Sequence, residues 1–131
     1  MRSLSIFLIT LFLSLSTPKA EAASNFGYFG FEPDIITNYI ATSNKKLGYV
    51  RVTVELMIKD MGNLEVVEHH SPLLRDAIVE IISKEQEEHV KSLTGREEIR
   101  KRCSERIKEL LKEETGQEVV HDVLFTKYLY Y

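Results

Sequence analysis

Residues 48–59 alternate apolar and polar side chains more regularly than any other part of the chain. The apolar side chains at every second position are Val50, Val52, Val54, Leu56 and Ile58. Side chains of a β-strand point alternately to its two faces, so this pattern predicts a strand with one face on the core and one in water, as in an antiparallel sheet. Because a lone hairpin is barely stable in water, such a sheet needs helices to cover its apolar face.

Residues 71–83 offer an apolar helix face that can cover it. Apolar residues occur as adjacent pairs four positions apart, namely Leu73 and Leu74, Ala77 and Ile78, and Ile81 and Ile82. At 3.6 residues per turn, these six side chains form one broad stripe. Ser71 is a favourable N-cap and Pro72 fits the first helical position, so we predict that the helix begins there.

The segments beside this helix are also predicted to be partly helical. Residues 64–70 can form a short helix capped by Asp60 or Asn63, and the sequence leaves open whether it continues through Pro72 or kinks there. The charged residues 84–92 predict a fraying helix end and a connection to the next element.

A further helix is predicted to begin with a capping box, in which Thr94 is the N-cap and Glu97 is the third helical residue. Its apolar stripe contains Ile99, Cys103, Ile107, Leu110 and Leu111, and its solvated face contains Arg100, Lys101, Glu105 and Lys112. Gly116 is well placed to end it.

Strands are predicted at both ends of this helical region. Residues 23–41 are rich in aromatic and β-branched residues and predict an irregular or bulged strand, which Pro33 restricts to an edge or entry position. Residues 118–131 predict a final strand that is buried on at least one face. The order predicts an α+β domain in which an antiparallel sheet of about three to four strands is covered on one face by helices.

Residues 1–22 have the three parts of a secretory signal. Arg2 gives a positive start, residues 4–15 are apolar, and a small-residue cleavage pattern follows at Ala20, Ala22 and Ala23. The apolar run holds 12 residues, whereas a membrane-spanning helix needs roughly 20. We therefore predict a cleaved signal followed by a domain of residues 23–131, with a short uncleaved membrane anchor as the alternative.

The charge of the chain argues against a nucleic-acid partner. The formal net charge is -3 over 131 residues, and positive and negative side chains are interleaved. A nucleic-acid surface usually requires a clustered basic excess. The hydrophobic fraction of 44% is that of one soluble globular domain.

Side chains that could perform chemistry do not converge in the sequence. His69 and His70 are adjacent, point in different directions and lack a third ligand at a defined spacing. His121 and Asp122 fall on opposite faces of a strand, so they do not form a base and its orienting group. A solvated helix end is the typical place for the acidic run of Glu85, Glu87 and Glu88. We predict no catalytic residue, no metal and no cofactor, and therefore no enzyme.

Cys103 is the only cysteine, so the chain has no internal disulfide. Its place on an apolar helix stripe favours a buried thiol that packs as a small apolar side chain. An intermolecular disulfide or a reactive thiol is the alternative. Because no cysteine lies beside the signal, a lipid anchor of the bacterial lipoprotein kind is excluded.

Aromatic residues are concentrated at the two ends of the domain. They are Phe26, Tyr28, Phe29 and Phe31 near its start, and Tyr128, Tyr130 and Tyr131 at its end. Strand alternation cannot bury all of them on one sheet face, and exposed Tyr and Phe are favoured at protein–protein contacts. We therefore treat Phe26, Tyr28, Phe29, Tyr128, Tyr130 and Tyr131 as candidate interface residues.

The sequence resembles the family of the flagellar basal-body-associated protein FliL. The similarity begins with a Tyr-x-x-apolar-Glu-Pro element at Tyr28, Glu32 and Pro33, and an alternating strand follows. It continues with a Pro-x-apolar-Arg-Asp element at Pro72, Arg75 and Asp76, and ends with a Leu-Phe-Thr strand that contains Phe125 and Thr126. The resemblance spans about residues 28–131, which is nearly all of the predicted mature chain.

This resemblance implies a non-enzymatic accessory protein of the bacterial flagellar motor. Its domain would resemble the stomatin-type (SPFH-like) domain and form homo-oligomers beside the flagellar stator (MotA/MotB-like), supporting rotation, swimming or swarming. It would lie in the periplasm or on the periplasmic side of the inner membrane. The short N-terminal run departs from the family's full-length anchor. A soluble periplasmic binding module unrelated to motility is the alternative.

Arg75 and Asp76 lie outside the apolar stripe of their helix and must therefore point to its rim. We predict that they fix a loop or a neighbouring subunit by polar contacts and take part in no chemistry.

Overall fold

Four strands and three helices form the domain in the computed structural model, which describes residues 25–43 and 47–131. The elements in order are β1 (Gly27–Gly30), β2 (Ile35–Tyr39), β3 (Gly48–Ile58), a 3-10 turn (Met61–Asn63), α1 (Leu64–Ser83), α2 (Glu87–Lys91), α3 (Leu93–Thr115) and β4 (Val120–Tyr130). The predicted α+β class, with an antiparallel sheet and helices on one face, is confirmed. The likeness to a stomatin-type domain stays a prediction.

Strand β3 lies at the centre of the sheet. On one side of β3, β2 pairs antiparallel with its first half and β1 with its last residues. On the other side, β4 pairs antiparallel along most of its length. The break between β1 and β2 contains a cis peptide bond between Glu32 and Pro33. The predicted irregular first strand is therefore two short strands with Pro33 between them, outside the ladder.

The alternation of β3 divides the sheet into a core face and an open face. Its five even-numbered apolar residues, from Val50 to Ile58, are fully buried. Helices α1 and α3 pack over this face, where Leu74, Ile78, Ile99 and Ile107 are also fully buried. The odd-numbered residues of β3 point to the other face, which no helix covers among the described residues.

Helix α1 joins the short helix predicted for residues 64–70 to the helix predicted from Ser71, a continuation that the sequence leaves open. It runs without interruption from Leu64 to Ser83, so Ser71 is not an N-cap and Pro72 lies in the helix interior. Val67 and Leu74, two turns apart on either side of the proline, are both fully buried. Burial of this continuous stripe outweighs the one main-chain hydrogen bond that proline cannot donate.

The stripe of α1 is also narrower than predicted. Leu74, Ala77, Ile78 and Ile82 are buried, whereas Leu73 is exposed and Ile81 is half-buried. Before the helix, the carboxylate of Asp60 accepts a hydrogen bond from the amide of Gly62 at 2.8 Å and caps the 3-10 turn.

Helix α3 begins at Leu93, and the predicted capping box at Thr94 is wrong. The N-cap is Ser92, whose hydroxyl accepts a hydrogen bond from the amide of Gly95 at 2.9 Å. Gly95 is required because α2 packs closely here: a Cβ atom would lie 1.9 Å from the carbonyl oxygen of His89. The predicted end at Gly116 is confirmed, with a left-handed φ of 73°.

The apolar stripe predicted for α3 is confirmed, since all five of its members are buried. On the other face, Arg100 is not solvated as predicted. Its guanidinium donates to Asp122 at 3.0 Å and to the carbonyl oxygen of Val123 at 2.8 Å. Within residues 25–43 and 47–131, no helix has the length and apolar character needed to cross a membrane.

Candidate functional surfaces

Arg75 joins α1 to the break between β1 and β2. Its Nη2 donates a hydrogen bond to the carbonyl oxygen of Pro33 at 2.7 Å. Its guanidinium carbon lies 5.5 Å from the ring centroid of Phe31, which is buried. This is the polar contact with a loop that the position of Arg75 predicts.

The other residues of the resemblance have different surroundings. Glu32, Pro72 and Asp76 are exposed, and the carboxylate of Asp76 forms no hydrogen bond or ion pair within the described part of the chain. The polar contact predicted for Asp76 is therefore absent there. Phe125 is buried against the core, and the exposed Thr126 lies with its hydroxyl 3.5 Å from the carbonyl oxygen of Thr53.

The open face of the sheet carries several large exposed apolar side chains. Its exposed members are Tyr28, Ile36, Tyr49, Leu129 and Tyr131. The rings of Tyr49 and Tyr131 stack with their centroids 5.1 Å apart, and Ile36 is 61% exposed. An uncovered sheet face of this composition is suited to a macromolecular contact.

Charged and polar side chains occupy the middle of this face. Asp34 accepts a hydrogen bond from Arg51 Nε at 2.7 Å and another from the hydroxyl of Thr53 at 2.9 Å. The hydrogen bond from Arg51 is the main cause that holds the pKa of Asp34 below its usual value. The open face is therefore polar at its centre and apolar towards both ends.

Strand pairing separates the candidate aromatic residues into two groups. Phe26 and Tyr28 belong to the open face, together with Tyr131, and Phe26 contacts the ring of His121 with centroids 5.4 Å apart. Phe29, Tyr128 and Tyr130 lie in register with the buried residues of β3. The six aromatics therefore do not form a single surface.

Tyr128 has a structural role. Its hydroxyl donates to the carbonyl oxygen of Val90 at 2.7 Å, and the guanidinium carbon of Arg96 lies 5.2 Å from its ring centroid. Burial raises the pKa of Tyr128 to about 12. Tyr130, at the rim of the sheet, remains 47% exposed beside the ammonium group of Lys91.

A polar cluster that the sequence analysis missed joins α1, α2 and α3. Glu85, which was predicted to be solvated, is 6% exposed and forms an ion pair with Arg102. Its carboxylate also bonds Nδ1 of His89 at 2.5 Å, and Nε2 of the same ring bonds Glu98 at 2.7 Å. The hydrogen bonds that the ring donates to Glu85 and Glu98 raise the pKa of His89. The four-residue spacing of Glu85 and His89 was the sequence signal that could have predicted their contact, because side chains at this spacing are neighbours on a helix.

The described residues contain no group of three or more side chains placed to hold a metal ion. Cys103 is fully buried, and burial raises the pKa of its thiol to about 12. The structure thus favours the packing role of this thiol over a reactive one. The predicted cleavage residues Ala20, Ala22 and Ala23 lie outside the described residues.

These observations define an α+β domain with a half-covered antiparallel sheet and an exposed, partly apolar open face. The chain belongs to the FliL family, because its sequence matches the model of the family described as "Flagellar basal body-associated protein FliL" over residues 28–130. It is also similar to the "Flagellar protein FliL" of Aquifex aeolicus (strain VF5), with 31% identity over 81 residues. That similarity covers 62% of this chain and 48% of the relative, so the chain spans about half the length of the curated relative it matches.

Proposed function

We propose that this chain is a non-enzymatic accessory protein of the bacterial flagellar motor that acts through protein contacts beside the stator. The observation that carries the proposal is the family match, which includes almost every described residue. The printed description of the family gives a basal-body association, and the relative is named as a flagellar protein. We also propose that the stator is its partner and that the chain associates with itself.

The open face is the surface that we assign to these contacts. It combines Ile36 and Leu129 with the stacked rings of Tyr49 and Tyr131, all outside the core. A few residues contribute most of the binding energy at protein interfaces, and Tyr and Arg are among the types most enriched there. The ion pair of Arg51 with Asp34 at the centre adds polar groups that can fix the orientation of a partner.

Deletion of the gene tests the role in motility. We expect slower swimming or swarming, most clearly under viscous load, and recovery when the gene is restored. Wild-type motility of the deletion strain at every load would contradict the proposal.

Crosslinking in cells tests the partner and the surface together. We expect the stator to co-purify with the wild-type chain and to be lost when Ile36→Ser and Tyr131→Ser are combined. Leu93→Ser is the matched control, because Leu93 is 85% exposed at the start of α3, away from the open face. Equal recovery of the stator with the wild type, the double variant and the control would show that the open face does not bind the stator.

The location on the periplasmic side of the inner membrane is part of the same proposal. The mass of the chain isolated from cells measures the fate of residues 1–22. An N-terminus at Ala23 supports a cleaved signal, whereas an intact Met1 in the membrane fraction supports the short anchor.

A further inference from the structure

Helix α2 depends on its neighbours for its position. It has five residues, whereas isolated helices shorter than about 12–15 residues are marginal in water. Its first residue is tied to the end of β2, because the amide of Glu87 donates to the carbonyl oxygen of Ile40 at 2.9 Å. Its buried residue is Val90, whose carbonyl oxygen accepts the hydrogen bond from Tyr128. A short segment of this kind can open locally while the rest of a domain stays folded.

His89 connects α2 to both of the longer helices. Its Nδ1 bonds the carboxylate of Glu85, two residues after α1, at 2.5 Å, and its Nε2 bonds Glu98 of α3 at 2.7 Å. A carboxylate only accepts hydrogen bonds, and a neutral imidazole carries a proton on one nitrogen. Both bonds therefore exist together only while the ring is protonated.

Burial decides which of the two bonds is lost when the ring loses a proton. The side chain of Glu85 is 8% exposed and is also paired with Arg102, whereas that of Glu98 is 57% exposed. A buried carboxylate is costly to leave without its partners, but an exposed one can turn into water. The remaining proton therefore stays on Nδ1, and the bare Nε2 repels the carboxylate of Glu98. The contact that is lost is the one between α2 and α3.

The other titratable groups around this cluster keep their charge near neutral pH. Arg102 remains a cation. Burial raises the pKa of Cys103 on α3 and that of Tyr128 on β4 to about 12, so both groups stay neutral. On α2 itself, Glu87 pairs with Lys91 at 2.6 Å, and this hydrogen bond is the main cause that lowers the pKa of Glu87 to about 2. The ring is therefore the group of this cluster that changes charge.

We propose that His89 is a pH-controlled latch on α2: its protonated ring holds α2 against α3, and loss of the proton releases Glu98 and lets α2 open while the sheet, α1 and α3 stay folded. Opening exposes Val90, which is fully buried when the latch is closed, and breaks the hydrogen bond from Tyr128. The latch thus uncovers an apolar surface beside β4 as the pH rises. It is separate from the open face and does not depend on the identity of the partner in the motor.

The test follows amide hydrogen exchange by NMR in the chain as purified from cells. The amide of Val90 donates to the carbonyl oxygen of Gln86 at 3.0 Å, so its exchange reports the opening of α2. The amides of β3 report unfolding of the whole domain and should be much better protected at every pH.

The direction of the pH dependence follows from linkage. The ring holds its proton more tightly in the closed latch, because its hydrogen bonds to Glu85 and Glu98 raise its pKa there. After correction for the intrinsic pH dependence of exchange, the opening equilibrium at Val90 should be constant below about pH 6.5. Above this value it should grow by up to about tenfold per pH unit, until the ring of the closed latch also loses its proton.

Glu98→Gln supplies the sharper arm of the test. The carboxamide of glutamine can accept a hydrogen bond from the protonated ring and donate one to the neutral ring. This variant should therefore keep α2 closed at about pH 8, where the wild type opens. Glu105→Gln is the matched control, because it makes the same charge change at an exposed position of α3 and should behave as the wild type. His89→Gln should remove the pH dependence of exchange at Val90, since glutamine does not titrate.

Three results would overturn the proposal. The first is equal protection of Val90 and of the β3 amides at every pH, which would show that α2 opens only when the whole domain unfolds. The second is the same pH dependence at Val90 in Glu98→Gln as in the wild type, which would show that Glu98 is not the released partner. The third is an opening equilibrium that falls as the pH rises. Glu98→Gln decides between these outcomes even if His89→Gln does not fold.

Discussion

The guanidinium of Arg75 donates a hydrogen bond to the carbonyl oxygen of Pro33 at 2.7 Å, across 42 positions of the sequence. It connects the middle of α1 to the break between β1 and β2. Both residues belong to the segments that carry the family resemblance. These two segments are therefore one structural unit, in which the helix holds the loop that divides the edge strand.

Arg75→Ala should lower the free energy of unfolding by about 1–3 kcal/mol, because it removes a charge-assisted hydrogen bond and the contact with the ring of Phe31. Arg75→Lys should recover only part of this loss, since an ammonium cannot reproduce the planar contact. Urea denaturation measures both effects.

The control for Arg75 is Arg106→Ala. Among the described residues, the ion pairs of Arg106 are with the exposed Glu109 and Glu113 on its own helix. Its loss should cost at most about 0.5 kcal/mol. Equal destabilisation by Arg75→Ala and Arg106→Ala would show that the contact with Pro33 is not a structural link.

The sequence predicted those parts of the fold that depend on periodicity alone. The alternation of β3 and the stripe of α3 are confirmed, because burial along each element follows the period of its apolar residues. The continuation of α1 through Ser71 and Pro72 was not predictable from local signals. Ser71 and Pro72 form a good helix start, but burial of Val67 outside that start continues the helix through them.

The candidate surfaces were less predictable, because they depend on strand register. Tyr128 and Tyr131 are three positions apart in the sequence, yet pairing with β3 directs the first to the core and the second to the open face. The cluster of Glu85, His89 and Glu98 requires the packing of α2 on α3. No local pattern fixes that packing.

The N-cap of α3 can be tested with two neighbouring substitutions. Ser92→Ala should cost about 1 kcal/mol of stability, because it removes the acceptor for the amide of Gly95. Thr94→Ala should cost much less, since Thr94 is exposed within the first turn and does not cap the helix. Chemical denaturation of the two variants measures the difference, and a larger loss for Thr94→Ala would restore the predicted capping box.

The thiol of Cys103 should be unreactive in the folded protein. It is fully buried and has a pKa raised to about 12, so neither access nor ionisation favours attack on a disulfide reagent. We expect no reaction with an aromatic disulfide reagent under native conditions and one equivalent in denaturant. Rapid native reaction, or a disulfide-linked dimer on a non-reducing gel, would favour the intermolecular alternative.

His89 should make the stability of the domain depend on pH. A ring that bonds carboxylates through both nitrogens must be protonated to donate to both, and its hydrogen bonds to Glu85 and Glu98 raise its pKa in the folded state. Arg102 also pairs with Glu85, and this ion pair does not depend on the proton of the ring. The cluster therefore loses one of its two cations as the pH rises.

The sign of the effect follows from linkage. A folded-state pKa above the unfolded value of about 6.5 gives stabilisation that is complete below that value and is lost as the pH rises through the folded pKa. The free energy of unfolding of the wild type should therefore exceed that of His89→Gln most at about pH 5.5 and least at about pH 8. His69→Gln is the control, because His69 is exposed and its ring pairs with no carboxylate among the described residues. A difference between wild type and His89→Gln that stays constant or grows with pH would show that His89 does not carry this dependence.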